Sequence, residues 1–265
     1  MKDLLVMIRG GGDIATGIAV RLFNAGFKVI IIEVENPKAV RLEVSFAKAV
    51  YSSTTIVENI EAIYVKSYKE IEYILKKRKI PVIIDSIGKS ITEFKPNILI
   101  DGIMAKHNIG TNKNQAPLVV GIGPGFIAGV DVDVIIETKR GHYLGRAIYN
   151  GSAIPDTGIP GEVMGESKKR LLKSPMDGEI VEIKRIGDTV KKGDIIAMIN
   201  NTPLKAEISG IIRGLIYPYT KVTKGMKIGD IDPRGVREYC FTVSDKARSV
   251  GGGVLEAICN FINYH

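Results

Sequence analysis

The sequence lacks tryptophan and contains little cysteine or histidine: two cysteines and three histidines among 265 residues. Cys240 and Cys259 do not make a disulfide framework, so a reduced, cytoplasmic location is expected. Because no Cys-x-x-Cys pair is present, we also expect no metal site. Neither cysteine has an activating partner nearby in the sequence, and both are expected to be inert thiols.

Long hydrophobic runs are also missing. The longest stretch without a charged residue, Asn114 to Val130, is interrupted by prolines and glycines, whereas a membrane helix needs about 20 consecutive apolar residues. The run from Leu4 to Ile8 is too short for the core of a signal peptide, and Arg9 follows it directly. The sequence therefore predicts neither a membrane helix nor a signal peptide.

Positive charge is in excess but is not concentrated. The formal net charge is +8, of which +3 lies between residues 171 and 236 and +5 in the rest of the chain. Proteins that bind nucleic acid usually carry a basic stripe or a recognisable binding module, and the sequence shows neither. We expect no nucleic-acid partner, and the spread of charge is compatible with a small anionic cofactor.

Strand and helix patterns alternate through the first third of the chain. Apolar runs at Leu4–Ile8 and Val29–Ile32 indicate strands buried on both faces. Apolar residues recur at helical spacing from Asp13 to Phe23. Further strand patterns lie at 81–84, 98–100, 118–120 and 132–136. This alternation predicts an α/β fold in which helices pack on a Rossmann-like parallel sheet.

A glycine-rich turn separates the first predicted strand from the first predicted helix. Gly10, Gly12 and Ala15 match the dinucleotide-binding pattern G-x-G-x-x-A. In that pattern the first glycine permits the turn, the second lets the backbone approach a pyrophosphate, and the alanine allows close helix–strand packing. The N–H groups at the helix N-terminus attract an anion. The predicted cofactor-binding residues are Gly10, Gly11, Gly12, Asp13, Ala15, Thr16, Glu33 and Lys106.

Two carboxylates bear on which ligand this turn would bind. Glu33 ends the second predicted strand, 21 residues after Gly12, where a carboxylate accepts hydrogen bonds from a ribose diol and favours NAD over NADP. Asp13 begins the helix, where its carboxylate can cap the N–H groups itself and repel a phosphate. The alternative is therefore a Rossmann-like turn that is closed by its own aspartate and binds no dinucleotide.

Polar residues after other predicted strands are further candidates. Asp101, Lys106 and His107 follow the strand at 98–100, where ligands of open α/β sheets bind, and Lys106 can hold a phosphate. The alternative is a solvated loop in which Asp101 caps a turn. The segment Ser249–Gly253 precedes an apolar helical stripe and indicates a hinge or an anion nest. No nucleophile, base and acid stand out as a set, so the catalytic residues stay unknown.

The segment from 171 to 236 contains an internal repeat at an offset of 32 residues. The paired stretches are Gly178–Ile180 with Gly210–Ile212 and Val190–Gly193 with Val222–Gly225. This segment resembles a small all-β barrel-sandwich domain of the biotinyl/lipoyl type. In carrier domains of that type a lysine at the hairpin between the repeats receives the prosthetic group. Because Lys205 lies beyond that hairpin, we expect neither lipoyl nor biotin on this chain.

The whole chain also resembles one protein family along most of its length. The matching stretches are 9–17, 104–108, 121–126, 130–133, 141–146, 227–235 and 244–248. Together they are similar to the accessory protein of selenium-dependent molybdenum hydroxylase systems, and the first half is similar in kind to xanthine dehydrogenase accessory factors. The resemblance implies that the chain helps to mature a molybdenum hydroxylase client by handling the molybdopterin cofactor or its labile ligand.

These observations predict three segments and leave several functions open. We expect a Rossmann-like α/β domain over 1–168, a biotinyl/lipoyl-like β domain over 171–236, and a C-terminal helix within 238–265 that packs back on the first domain. The expected function is maturation of the client enzyme, with NAD or molybdopterin as the bound cofactor. The alternatives are an NAD-dependent oxidoreductase, for which no hydride-relay residue is evident, and a non-catalytic docking scaffold. The sequence leaves open whether the chain forms a homo-oligomer.

Overall fold

The computed structural model describes residues 4–158 and 161–264. The chain forms two compact units, and each is assembled from stretches that are distant in sequence. The first unit comprises Met1–Pro37, Ser45–Thr157 and Val243–His265, and the second comprises Lys38–Val44 and Gly158–Thr242.

Within the described residues, the first unit is built on one nine-stranded sheet and five α-helices. Its strands are β1 (Leu5–Arg9), β2 (Lys28–Glu33), β3 (Thr54–Val57), β4 (Ile60–Val65), β5 (Ile80–Ile84), β6 (Ile98–Asp101), β7 (Leu118–Ile122), β8 (Val134–Ile136) and β9 (Ala147–Ile148). Its helices are α1 (Asp13–Asn24), α2 (Ala49–Ser52), α3 (Tyr68–Lys76), α4 (Lys89–Phe94) and α5 (Asp245–Tyr264). Short 3-10 turns occur in the chain at Leu42–Val44, Phe46–Lys48, Lys113–Gln115 and Arg237–Cys240.

The prediction of a fold built on a Rossmann-like parallel sheet is wrong. The strand order is β3-β4-β5-β2-β1-β6-β7-β8-β9, and the outer strands β3 and β9 run antiparallel to their neighbours, so the sheet is mixed. The order also departs from the Rossmann order, because β5 rather than β4 pairs with β2. The antiparallel direction of β3 comes from the β3–β4 hairpin, whose turn residues Glu58 and Asn59 both have positive φ, as a tight hairpin turn requires.

The core of this unit follows from its apolar runs. Val6, Met7 and Ile8 of β1 are fully buried, as expected for a central strand that is covered on both faces. Helix α1 buries its apolar face, and Gly17 lets it approach α5 closely, because a Cβ at Gly17 would lie 2.6 Å from the Cβ of Ala247. The first and last helices of the unit therefore pack against each other.

Helix α5 corrects the interpretation of Ser249–Gly253 as a hinge or an anion nest. The helix begins at Asp245 and runs through all three glycines without a break. Gly251 lies against the Gly17 carbonyl oxygen of α1, and a Cβ at Gly253 would overlap the carbonyl oxygen of Gly145. Gly251 and Gly253 serve close packing, which outweighs the low helix propensity of glycine.

The second unit contains two antiparallel sheets of four strands each. Its strands are β10 (Leu171–Lys173), β11 (Gly178–Glu182), β12 (Thr189–Val190), β13 (Ile195–Ile199), β14 (Thr202–Lys205), β15 (Gly210–Leu215), β16 (Lys221–Val222) and β17 (Lys227–Asp232). The orders are β10-β17-β15-β12 and β14-β13-β11-β16. In the repeat at an offset of 32 residues, β11, β12 and β13 correspond in sequence to β15, β16 and β17, respectively.

The predicted biotinyl/lipoyl-like class is corrected to this coarser description of two antiparallel sheets. The unit also includes the distant segment Lys38–Val44, which the sequence window of 171–236 did not contain: Arg41 forms a β-bridge with Leu215, and Val40 lies against Gly214. A local repeat does not reveal such a long-range insertion. Lys205 is the last residue of β14 and is exposed.

Candidate functional site

The glycine turn lies between β1 and α1, in the centre of the mixed sheet. Gly10 has φ +89°, a left-handed conformation that glycine adopts without strain. A Cβ there would lie 3.1 Å from the Cα of Ile103, in the loop that follows β6. Gly10 is thus required both by the turn and by the close approach of the neighbouring loop.

The middle glycine is covered by the chain itself. The Ala47 backbone N–H donates to the Gly11 carbonyl oxygen at 2.9 Å, and a Cβ at Gly11 would lie 2.8 Å from the same nitrogen. Thr16 supports this contact, because its hydroxyl donates to the Gly11 carbonyl at 3.1 Å and accepts from the Phe46 N–H at 2.8 Å. Thr16 is fully buried and connects the turn to the segment that covers it through these two hydrogen bonds.

Gly12 differs from its two neighbours because a Cβ there would meet nothing within 4 Å. It is the N-cap of α1, with extended backbone angles of φ −66° and ψ −179°. The first N–H groups of a helix have no partner within the helix and favour an anion. Ala15 packs tightly on the other side, since a Cβ at Gly102 would lie 3.0 Å from the Ala15 Cβ. The turn therefore leaves open space at the one position where the fingerprint places a pyrophosphate.

Glu33 ends β2 and faces this turn. Its carboxylate accepts from the Gly11 N–H at 2.7 Å and from the Val34 N–H at 2.8 Å. Burial raises the pKa of Glu33 above its ordinary value, and these two hydrogen bonds lower it only in part. The carboxylate is thereby fixed beside the glycine turn, with lone pairs that can accept further hydrogen bonds from a ligand.

Charged residues from distant parts of the chain lie near the start of α1. Lys246, on the first turn of α5, lies in the electrostatic field of Asp13, Asp156 and Glu137. Burial lowers the pKa of Lys246, while the Asp13 carboxylate acts in the opposite direction. The negative charge of Asp13, which counted against a phosphate, is thus partly balanced by a cation that is distant in sequence.

Lys106 and Asp101 are placed differently from one another. The Lys106 ammonium is exposed and lies 3.2 Å from the Asp156 carboxylate. Asp101 is buried at the end of β6, where it accepts from the Thr111 hydroxyl at 2.5 Å and pairs with the Arg9 guanidinium at 3.4 Å. Asp101 therefore holds two chain segments together rather than facing a ligand.

The structure brings most of the predicted residues together. Gly10, Gly11, Gly12, Asp13, Ala15, Thr16 and Glu33 form one site, and Lys106 lies on a neighbouring loop, paired with Asp156. Sequence reasoning missed Ala47 and Lys246 as neighbours of the site. Lys246 belongs to the stretch 244–248 that carries the family resemblance, which was the available signal.

Two expectations concern metals and membranes. Among residues 4–158 and 161–264, no group of three His, Cys, Asp or Glu side chains is arranged to hold a metal ion. Within the same described ranges, no helix is both long and apolar enough to cross a membrane.

Comparison with known proteins returned one curated relative of high similarity. No family model matches the chain. The chain is 46% identical over 254 residues to the uncharacterized protein YqeB of Escherichia coli (strain K12), an alignment that covers 96% of this chain and 47% of YqeB. The chain thus spans about half the length of the relative that it matches.

Comparison with solved structures returned distant likenesses. An aspartoacylase family protein from Mesorhizobium loti has a TM-score of 0.26 and 9% identity, over 87% of this chain and 85% of that protein. A succinylglutamate desuccinylase from Silicibacter sp. has a TM-score of 0.24 and 14% identity, over 86% and 84%. TM-scores this low do not establish a shared fold, and no activity is inferred from them.

Proposed function

We propose that the chain is an accessory factor in the maturation of a selenium-dependent molybdenum hydroxylase, and that it binds a phosphate-bearing cofactor at the glycine turn. The observation that carries the proposal is the uncrowded position of Gly12 at the N-terminus of α1, beside the fixed carboxylate of Glu33. This combination supplies backbone N–H groups for a phosphate and acceptors for the hydroxyl or amino groups of the same ligand.

The sequence resemblance supports the pathway, while the geometry supports the ligand class. Molybdopterin carries one phosphate and a nucleotide carries one or more, so both suit the turn. The partner in this proposal is the client hydroxylase, and the proposed location is the cytoplasm.

NAD is the second candidate ligand, and one observation favours it. Glu33 ends the strand next to β1, and its carboxylate lies within hydrogen-bond distance of the turn. This is where dinucleotide-binding turns place the acceptor for a ribose diol.

Gly12→Ser provides a sharp test of the binding site. Serine is a preferred N-cap, and the backbone of Gly12 suits it, so the variant should be at least as stable as the wild type. Its side chain would occupy the open space and satisfy a helix N–H, so we expect affinity for the cofactor to fall by about tenfold or more. Isothermal titration with molybdopterin, ADP and NAD, after mass spectrometry of ligands retained by gently purified protein, measures the effect.

Gly252→Ala is the matched control for that substitution. A Cβ at Gly252 also meets nothing within 4 Å, but this residue lies in the middle of α5. The control should bind each ligand as the wild type does. If the wild type binds none of the three ligands, or if Gly12→Ser binds them unchanged, the proposal of a cofactor site at the turn is wrong.

A further inference from the structure

A groove with a volume of about 450 Å³ lies along the edge strand β9, in the first unit. Its lining includes Glu137 and β9 itself. The side chains that give it its chemical character are Tyr143, Arg146, Tyr149, Asn150, Ser152 and Ile154. A concave site of this size, with aromatic walls and a few polar groups, has the usual composition of a small-molecule site.

Apolar surface is left exposed in this groove. Tyr143 is 48% exposed, Tyr149 is 49% exposed and Ile154 is 36% exposed. Single exposed apolar residues are ordinary, but several that converge on one concave surface mark a binding site. The Arg146 guanidinium lies 5.4 Å from the centre of the Tyr143 ring, so a cation and a ring already stand side by side.

The loop that forms the groove is firmly held. Arg140 makes two hydrogen bonds to the Asp245 carboxylate, at 2.6 and 2.9 Å. The Ser249 hydroxyl donates to the Leu144 carbonyl at 3.1 Å, and Gly253 leaves room for the Gly145 carbonyl oxygen. Because the loop is fixed before any ligand arrives, binding there loses little conformational entropy.

Glu137 belongs to the framework of the groove. Its carboxylate accepts backbone N–H groups of Thr138, Lys139 and Ile154, each at 2.8 Å. These bonds hold both sides of the groove in place. The backbone N–H groups also stabilise the negative charge of Glu137. Among the described lining residues, Arg146 supplies the positive charge that an incoming ligand would meet.

We infer that this groove binds a planar heteroaromatic anion. The ring would lie against the tyrosine side chains, the anionic group would pair with Arg146, and Asn150 and Ser152 would hydrogen-bond to the edge of the ring. The site is distinct from the glycine turn, because β6, β7 and β8 lie between β1 and β9. That separation is on the order of 19 Å at the spacing of neighbouring strands.

Titration calorimetry of the full chain with quinoline-2-carboxylate tests the inference. We expect saturable binding that weakens about tenfold in Tyr149→Leu and about fivefold in Arg146→Gln, since each removes one recognised feature of the ligand. Cyclohexanecarboxylate has the same charge without a planar ring, and it should bind about tenfold more weakly. Thermal unfolding of each variant checks that the fold is retained. Because the Arg146 side chain is exposed, Arg146→Gln is the substitution that perturbs packing least.

Tyr73→Leu is the matched control. Tyr73 is also exposed and also stands beside a cation, with the Lys77 ammonium 4.2 Å from its ring centre, but it lies on α3. This variant and Gly12→Ser should bind quinoline-2-carboxylate like the wild type. Any one of four results would overturn the inference. The first two are that the wild type does not bind quinoline-2-carboxylate, or that it binds the two carboxylates equally. The others are that both groove variants bind it unchanged, or that Gly12→Ser loses binding.

Discussion

Asp232 is fully buried in the second unit, where two arginines hold its negative charge. Arg234 donates to both carboxylate oxygens, at 2.9 and 2.6 Å, and the Arg213 guanidinium lies 3.7 Å away. Burial alone raises the pKa of Asp232, but the hydrogen bonds from Arg234 and the two positive charges outweigh it and hold the pKa below its ordinary value. Asp232 therefore stabilises the fold in its ionised form.

We expect Asp232→Asn to destabilise the protein at pH 7 by about 3 kcal/mol, because it leaves the buried Arg213 guanidinium without its partner. The folded pKa lies below the unfolded value, so this contribution is present above about pH 3.8 and is lost as the pH falls through the folded pKa. Urea denaturation at pH 7 and near pH 3 should show the difference between variant and wild type shrinking. Asp188→Asn, at an exposed turn, should change stability by less than about 0.5 kcal/mol; an equal loss in both variants would contradict the role of Asp232.

At the scale of single residues, sequence reasoning predicted the form of the glycine turn but not what surrounds it. The positive φ of Gly10 and the N-cap position of Gly12 follow from a local pattern, so the motif predicted them. Ala47 and Lys246 reach the site from distant parts of the chain, and no local pattern encodes such contacts. That Gly11 is covered while Gly12 is open could therefore be seen only in the structure.

Helix α5 shows how packing can override propensity at the scale of an element. Gly251 and Gly253 each face a neighbouring backbone, whereas Gly252 faces open space. The sequence pattern predicted a hinge or an anion nest at Ser249–Gly253, ahead of the last helix. All three glycines lie inside a 20-residue helix, and the missing side chains of Gly251 and Gly253 let α1 and the Gly145 loop approach it.

Two neighbouring glycines of α5 give opposite predictions for the same substitution. Gly253→Ala should destabilise the protein by about 1–3 kcal/mol or more, because its Cβ would overlap the Gly145 carbonyl oxygen. Gly252→Ala should stabilise it by about 0.4–1 kcal/mol, since alanine restricts the unfolded chain and meets no neighbour. Urea denaturation of both variants measures the difference, and equal effects of the same sign would show that α5 does not pack as described.

At the scale of the whole molecule, element types were more predictable than their arrangement. The alternating strands and helices of the first unit are present, but the position of β5 between β2 and β4 and the antiparallel outer strands were not foreseen. Strand order depends on long connections, and the short apolar runs that predict strands carry no information about their partners. The insertion of Lys38–Val44 into the second unit is unpredictable for the same reason.

The net charge of +8 belongs to the molecule as a whole and leads to a prediction about salt. Because the charge is spread out, a 20-base-pair duplex DNA should bind weakly at low salt and lose measurable affinity at about 0.15 M salt. Fluorescence anisotropy across a salt series tests this expectation. Binding that persists at 0.15 M salt would reveal a basic surface that neither the sequence nor the charge distribution indicates.

The discontinuous build of the first unit constrains the order of events during synthesis. Helix α1 is made early, but the helix that covers its glycine face is made only after residues 158–242, which belong to the other unit. Domains generally fold as units while the chain emerges. All residues of the second unit are therefore synthesised before α5, and the surface around Gly17 stays uncovered and accessible to chaperones until α5 has emerged from the ribosome.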